Sequence, residues 1–143
     1  MTYTAHAPRL QNNAIIGQLA DTGRPVGDAD APDSDRPYSV VYWLDDDPGE
    51  LSQNDPHMVA WPVFQVTSVG DTREQAQWMQ KQVRDALIGW KPSVEGYAAD
   101  PVESLLSGRI FRDAEVPPAV FSAVDRFTFR IQAEPDDESS SSS

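Results

Sequence analysis

The chain has 143 residues, no cysteine and a formal charge of −12, which favours a single acidic domain with one modest core. The lack of cysteine excludes disulfide bonds, thiolate metal ligands and a cysteine nucleophile. No apolar run reaches the ~20 residues that a membrane-spanning helix needs, and the N-terminal residues lack the basic-then-apolar pattern of a signal peptide. We therefore expect a soluble protein that is made in the cytoplasm and does not bind membranes.

The negative charge is concentrated towards the two ends of the sequence. Residues 1–60 carry −7, residues 61–133 carry −1, and residues 134–143 carry −4. The lack of clustered Lys and Arg argues against binding of nucleic acid through its phosphates. The last segment, EPDDESSSSS, has no apolar side chain to bury. We therefore predict one folded domain over residues 1–133 and a disordered acidic tail over residues 134–143.

The first predicted element is a helix over residues 9–20, because apolar residues recur there at helical spacing. Residues 21–37 hold two glycines, three prolines and many aspartates, which predicts an acidic loop or arm over 21–36 with no packed element. A strand follows at 37–44, PYSVVYWL, with apolar residues on both of its faces. Such a strand is covered twice within the fold, or once within it and once by another subunit.

Residues 58–69, MVAWPVFQVTSV, predict a second strand. Pro62 marks an edge or a bulge in it, because proline cannot donate to a sheet ladder. From Thr72 to about Ile88 the sequence predicts a helix, with Thr72 and Gln75 forming a capping box at its start. The apolar residues of this helix fall on one stripe: Ala76, Met79, Val83, Ala86 and Leu87.

Residues 91–103 predict a loop, and a strand follows at about 105–111. A turn-rich link through Pro117 and Pro118 leads to the last strand, DRFTFRIQA at 125–133, whose alternation is typical of one buried and one polar face. The element order is therefore α–β–β–α–β–β. It predicts a single α+β domain in which two helices pack on a mixed, mainly antiparallel β-sheet.

The residues with chemical potential do not form a convincing active site. Asp71 and Glu74 lie at the start of the predicted helix, where its dipole favours acids. The acids of residues 45–55 suggest a calcium loop, but its glycine stands one position too early, and a solvated hairpin loop explains them better. His6 and His57 accompany no metal-binding or catalytic motif. We predict no catalytic residue, no metal and no cofactor, and a protein that is not an enzyme.

Several stretches of the sequence recur together in one group of proteins. They are the PY-VVY strand, the W-x-x-(Y/F)-Q-V-T-x-V-G strand from Trp61 to Gly70, the T-R-E-Q-A-x-W start of the helix from Thr72 to Trp78, and the closing VDRFTFRI. With these elements the chain resembles the tail terminator proteins of long-tailed phages (siphoviruses) that infect actinobacteria, which are similar to the phage lambda tail terminator. The arm at 21–36 and the serine-rich tail fall outside the resemblance.

The resemblance implies a structural virion protein of the tail or neck, assembled in the host cytoplasm. In this family an α/β subunit forms a hexameric ring on the last ring of the tail tube. The ring stops tube polymerisation and joins the tail to the head. The implied partners are further copies of the chain as a homohexamer, the tail tube protein and the neck proteins of the head–tail connector. DNA would pass through the lumen without specific binding.

A ring subunit must use its strand faces and hairpin tips to meet its neighbours or the channel. Mobile acidic arms suit segments that order on docking, and acidic groups along a channel would repel passing DNA. The residues that we expect at ring or lumen contacts are Tyr38, Val40, Tyr42, Trp43, Asp45, Asp46, Asp47, Trp61, Arg126 and Arg130.

Three alternative interpretations remain open from the sequence. The first is a neighbouring neck or head-closure protein with a related fold. The second, of another class, is a small acidic metal-binding domain or enzyme that uses residues 45–55 with His57. The third is an acidic mimic of DNA, which is disfavoured because the aspartates lie in Pro- and Gly-rich loops instead of at regular spacing.

Overall fold

The computed structural model describes residues 8–44, 59–113 and 120–133, which form an α+β domain. The predicted fold class is confirmed. The strands are shorter and more numerous than the sequence predicted. The described elements in chain order are α1 Pro8–Ala20, β1 Val26–Asp28, β2 Tyr38–Trp43, β3 Val59–Ala60, β4 Val63–Gly70, α2 Arg73–Leu87, β5 Tyr97–Ala99, β6 Glu103–Ser107, β7 Phe111–Asp113, β8 Val120–Thr128 and β9 Ile131–Ala133.

Most of the strands belong to a main sheet with the order β1-β2-β4-β8-β6, in which β7 also pairs with β8. β1 runs parallel to β2, whereas the other pairs of this sheet are antiparallel. A smaller antiparallel sheet has the order β3-β9-β5. Since β4 and β8 are the longest strands and lie inside the main sheet, they fix the positions of its two edges.

Both helices were predicted at the right places, and they pack on one face of the main sheet. α2 presents its predicted apolar stripe to the core, with Ala86 only partly buried. α1 adds Ile15 and Leu19, both fully buried. Under the helices lies Phe64 of β4, whose ring centroid is 5.5 Å from that of Phe127 and 6.2 Å from that of Phe129. Burial of each such ring contributes about 2–3 kcal/mol, so this cluster holds the helices on the sheet.

The prediction that residues 21–37 contain no packed element is wrong. Residues Val26–Asp28 form β1, which extends the main sheet beside β2. The backbone then turns at Ala29, whose φ is 65°, and folds across Gly27. A Cβ at Gly27 would collide with the carbonyl oxygen of Asp30, so only glycine permits this approach. The hydrophobic content of the arm is too low to reveal so short a strand by periodicity.

The predicted strand over residues 58–69 is in fact two strands that belong to different sheets. Pro62 separates β3, which pairs in the smaller sheet, from β4, which pairs in the main one. Proline has no N–H to donate to a ladder, so both ladders stop beside it. Its carbonyl oxygen accepts a hydrogen bond from the Thr128 hydroxyl at 2.8 Å. The predicted bulge is therefore a transition between sheets.

Three further strand predictions need correction. Residues 91–103, predicted as loop, contain β5. The strand predicted at 105–111 is divided into β6 and β7 around Gly108, and the strand predicted at 125–133 is divided into β8 and β9. Its alternation is nevertheless right for the core, since Phe127, Phe129 and Ile131 are all buried. The predicted link through Pro117 and Pro118 lies outside the described residues.

Candidate assembly surface

The main sheet has two different faces. One face carries residues such as Val41, Phe64 and Phe127 into the core beneath the helices. Neither helix covers the opposite face, which we call the open face. Strand alternation and register show which residues lie on it. It carries, in rows across the sheet, Tyr38, Val69, Ser122 and Phe111, then Val40, Thr67 and Val124, then Tyr42, Gln65, Arg126 and Leu106.

Three of the four residues singled out in β2 lie on this open face. Tyr38 and Tyr42 are partly buried, and Val40 is only 3% exposed. Trp43 points to the other face, where its ring stacks on Phe64 with centroids 5.7 Å apart and planes 5° from parallel. Both faces of β2 thus hold apolar side chains, as the sequence indicated. One face packs in the core with Phe64, and the other belongs to the open face.

The other predicted contact residues are distributed around the molecule. Arg126 lies on the open face and donates to the Gln65 side-chain oxygen at 3.2 Å. Arg130 lies between β8 and β9, with its guanidinium 3.8 Å from the Asp100 carboxylate. Trp61 lies beside Pro62 and is 51% exposed. The structure therefore brings Tyr42 and Arg126 into one row of the open face and separates Arg130 and Trp61 from it. Asp45, Asp46 and Asp47 lie outside the described residues.

The strands β6 and β7, for which no contact role was predicted, lie at one edge of the main sheet and carry large exposed apolar side chains. All five residues of β6 are exposed. Leu105 is 55% exposed, Leu106 48% and Phe111 51%. These are three of the six large apolar side chains exposed in the described part of the chain. The adjacent leucines in an otherwise polar stretch, ESLLSGR, are the sequence signal that would have revealed this surface.

A buried carboxylate lies between α2 and the edge of the main sheet. Asp125 of β8 is fully buried and lies within 3.2 Å of the Gln80 side-chain nitrogen and 3.6 Å of the Arg84 guanidinium. The Gly108 N–H also donates to it. Burial raises the pKa of Asp125, while the hydrogen bond from Gln80 and the charge of Arg84 act in the opposite direction. With its oxygens occupied and no exposed surface, this carboxylate links α2 to the edge of the sheet and does not face a substrate.

The described residues contain no group of three or more His, Asp or Glu side chains that could hold a metal ion. The acids at 45–55 and both histidines lie outside these ranges, so the metal-binding alternative stays a prediction for that segment. None of the described helices is long and apolar enough to cross a membrane.

Comparison with known proteins identifies the fold but no sequence family. No family model matches the chain, and no curated protein matches it. A solved structure described as "Virion of native gene transfer agent (GTA) particle" contains a chain that is similar to this one, with a TM-score of 0.60 and 20% identity over 85% of this chain and 94% of that chain. A second solved structure, whose name states no function, has a TM-score of 0.60 and 17% identity over 92% of this chain and 100% of that chain. This α+β arrangement is therefore a known fold, and one of its examples is a component of a virion particle.

Proposed function

We propose that this chain is a structural virion protein, and specifically a tail terminator. In this role six copies form a ring on the end of the tail tube, end its polymerisation and join the tail to the head–tail connector. The observation that carries the proposal is the fold shared with a chain of the gene transfer agent virion over nearly the full length of both chains. The tail-terminator motifs of residues 37–90 agree with it independently.

The surface of the domain suits a subunit that works by contact. The open face carries the partly buried Tyr38 and Tyr42 on either side of the buried Val40, and the exposed Phe111 lies three strands away on the same face. Exposed apolar side chains on one face mark protein interfaces. Arg126 gives the same face a polar position that would meet a neighbouring subunit or the lumen. The ring contacts predicted for these residues belong to this proposal.

The charge of the chain supports a channel that DNA crosses without binding. Its −12 net charge would repel the phosphate backbone wherever the acids face the lumen. The only fully buried carboxylate among the described residues, Asp125, is used inside the fold. Because Asp125 contacts Gln80 and Arg84 inside the fold, it gives no support to an enzymatic role.

A neck or head-closure protein is the second candidate. It deserves a place because the similar chain belongs to a virion particle whose description names no position within it. The two roles differ in one contact, since only a terminator must bind the tail tube protein directly.

The test is to add the purified chain to the tail tube protein of its own phage under polymerising conditions and to measure tube length by electron microscopy. We expect short tubes of uniform length, each ending in a six-fold ring. Tubes that grow as long as in the absence of the chain would contradict a terminator. A ring found in the virion neck without contact to the tube would favour the second candidate.

Variants of the predicted lumen or ring residues refine this test. Arg126→Glu together with Arg130→Glu should impair tail-length control or the recovery of DNA-filled virions. Lys91→Glu is the matched control, because Lys91 is exposed in the link after α2. Normal tails and filled heads from the double variant would remove both arginines from the functional surface.

A further inference from the structure

The two opposite edges of the main sheet differ in chemistry. At one end, residues 103–113 include β6 and β7, which both pair with β8; we call this stretch the apolar edge. At the other end, residues 26–35 include β1 and the turn that follows it; we call this stretch the acidic edge. With a strand spacing of about 4.8 Å, the two edges are separated by roughly 20 Å across the sheet.

The apolar edge has the properties of a docking strand. Among the described residues β6 and β7 pair only with β8, so the outer sides of their backbones have no strand partner. Leu105, Leu106 and Phe111 are each about half exposed along it. An exposed edge with large apolar side chains is a template for another chain. The register shift between Ser104 and Leu106 interrupts the pairing of β6 with β8.

The apolar edge also carries exposed arginine side chains. Residues 103–113 contain Arg109 and Arg112 against Glu103 and Asp113. Arg126 in register with Leu106 and Asp125 in register with Ser107 add one charge of each sign, so the formal charge of this region is zero. Asp125 is buried and paired with Arg84, whereas Arg126 lies on the open face. Arg109 and Arg112 are exposed and form no ion pair with a described residue.

The acidic edge supplies the opposite charge. Residues 26–35 carry −4, contributed by exposed Asp28, Asp30, Asp33 and Asp35. Two basic residues flank this stretch, and both have partners within the chain. Arg24 donates to the backbone carbonyls of Pro37 and Asp35, and the Arg36 guanidinium lies 2.6 Å from the Asp71 carboxylate.

We propose that the apolar edge of one copy docks on the acidic edge of the next copy of this chain. The inference rests on the ring of the proposed function and assigns its contact. A ring needs two different, complementary patches on each subunit, whereas contact between identical patches closes a dimer. Pairing unlike edges joins opposite charges and leaves one free edge of each kind for the next copy.

The natural absence of cysteine makes a cross-linking experiment clean, because introduced thiols are the only ones present. The full chain carrying Asp33→Cys and Arg112→Cys would be oxidised at low salt and analysed by denaturing electrophoresis. We expect a ladder of covalent oligomers that ends at the ring size. Asp33→Cys with Trp78→Cys is the control, since Trp78 is comparably exposed but lies on α2; it should give no ladder.

A second measurement uses blocked edges. Leu106→Asp with Phe111→Asp blocks the apolar edge, and Asp30→Asn with Asp33→Asn reduces the charge of the acidic edge. Each variant alone should weaken association at least about tenfold by sedimentation velocity. An equimolar mixture should form dimers and nothing larger, since each dimer uses the one intact edge of each partner. Trp78→Asp should assemble as the unmodified chain does. Circular dichroism verifies that every variant is folded.

The outcomes separate the two proposals. If the unmodified chain forms rings and both blocked variants still do so, the edge assignment is overturned while the terminator role stands. A ladder from the control pair as strong as from the test pair also overturns the edge assignment. If the unmodified chain remains monomeric at every concentration and on tail tubes, both proposals fail. Blocked variants that bind each other but not themselves establish the head-to-tail contact.

Discussion

The side-chain amide of Gln80 on α2 donates to the carbonyl oxygen of Gly108 at 2.9 Å and lies within 3.2 Å of both Asp125 carboxylate oxygens. One side chain of the helix thereby holds the point at which the edge of the main sheet is interrupted between β6 and β7. Arg84, one turn further along α2, adds an ion pair to Asp125 and a long hydrogen bond to Ser104 of β6. The proposed docking edge is thus positioned by the best-packed helix of the domain.

Replacing Gln80 tests this connection. We expect Gln80→Ala to lower the free energy of unfolding by about 1–3 kcal/mol, because it leaves the buried Asp125 carboxylate and the partly buried Gly108 carbonyl without their donor. Urea denaturation monitored by circular dichroism measures the change. Gln77→Ala is the matched control on the exposed side of the same helix and should shift stability by no more than about 0.5 kcal/mol. Equal effects of the two substitutions would contradict a specific role for Gln80.

The raised pKa of Asp125 predicts a pH dependence of stability with a defined sign. Burial is the main cause of the shift, and it favours the protonated carboxyl in the folded state. The unfolded pKa is about 3.9, so above that value the folded state holds more protons than the unfolded one until the pH passes the folded pKa. The contribution of Asp125 to the free energy of unfolding therefore falls as pH rises through this window.

The variant Asp125→Asn, which cannot titrate, isolates this contribution. We expect the free energy of unfolding of the unmodified chain, minus that of the variant, to fall as the pH rises above the unfolded pKa of about 3.9. Urea titrations at each pH provide the measurement, and subtraction removes the shared titration of the exposed acids. A difference that grows with pH would mean that the folded pKa is lowered and that Arg84 outweighs burial.

The parts of the fold that the sequence predicted correctly are those in which one physical signal is sufficient. The stripe of α2 and the cap at Thr72 are local patterns, and the structure has them where they were predicted. The two-sided apolar pattern of β2 was also sufficient to locate that strand. Alternation over Phe127, Phe129 and Ile131 predicted burial correctly even though the chain changes sheets between the second and third of these residues.

The parts that were missed depend on contacts between distant segments. β1 has three residues and exists because β2 offers a parallel partner, and nothing in VGD by itself favours a strand. Pro62 was recognised as an interruption, but its consequence depends on β9 being available to pair with β3. The edge at Leu105 and Leu106 was predicted as a strand, yet its exposure follows from its place at the end of the sheet order.

Two glycines give a matched pair of predictions with opposite signs. A Cβ at Gly108 would lie well inside contact distance of the Val124 carbonyl oxygen, so Gly108→Ala should destabilise the fold by about 1–3 kcal/mol through forced backbone movement. Gly17 lies within α1 with nothing within 4 Å of its Cβ position. Gly17→Ala should therefore stabilise by about 0.5–1 kcal/mol. Thermal unfolding compares both variants directly.

The same pair also reports on the docking edge. If Gly108→Ala moves the backbone at the β6–β7 interruption, this variant should self-associate more weakly than the unmodified chain under conditions in which both are folded. Gly17→Ala should associate as the unmodified chain does. Equal self-association of the two folded variants would show that the local path of the edge is not needed for contact.

The start of α2 provides the last prediction. The Thr72 hydroxyl accepts from the Gln75 N–H at 3.0 Å, and the Gln75 side-chain oxygen accepts from the Asp71 N–H at 2.6 Å. The capping box is thus present, with its return bond shifted by one residue to Asp71. Thr72→Ala should cost about 1 kcal/mol in unfolding free energy because a helix-start N–H loses its acceptor. Thr72→Ser retains the hydroxyl and should remain close to the unmodified chain in a urea titration; if both substitutions cost the same, the methyl group and not the cap stabilises this turn.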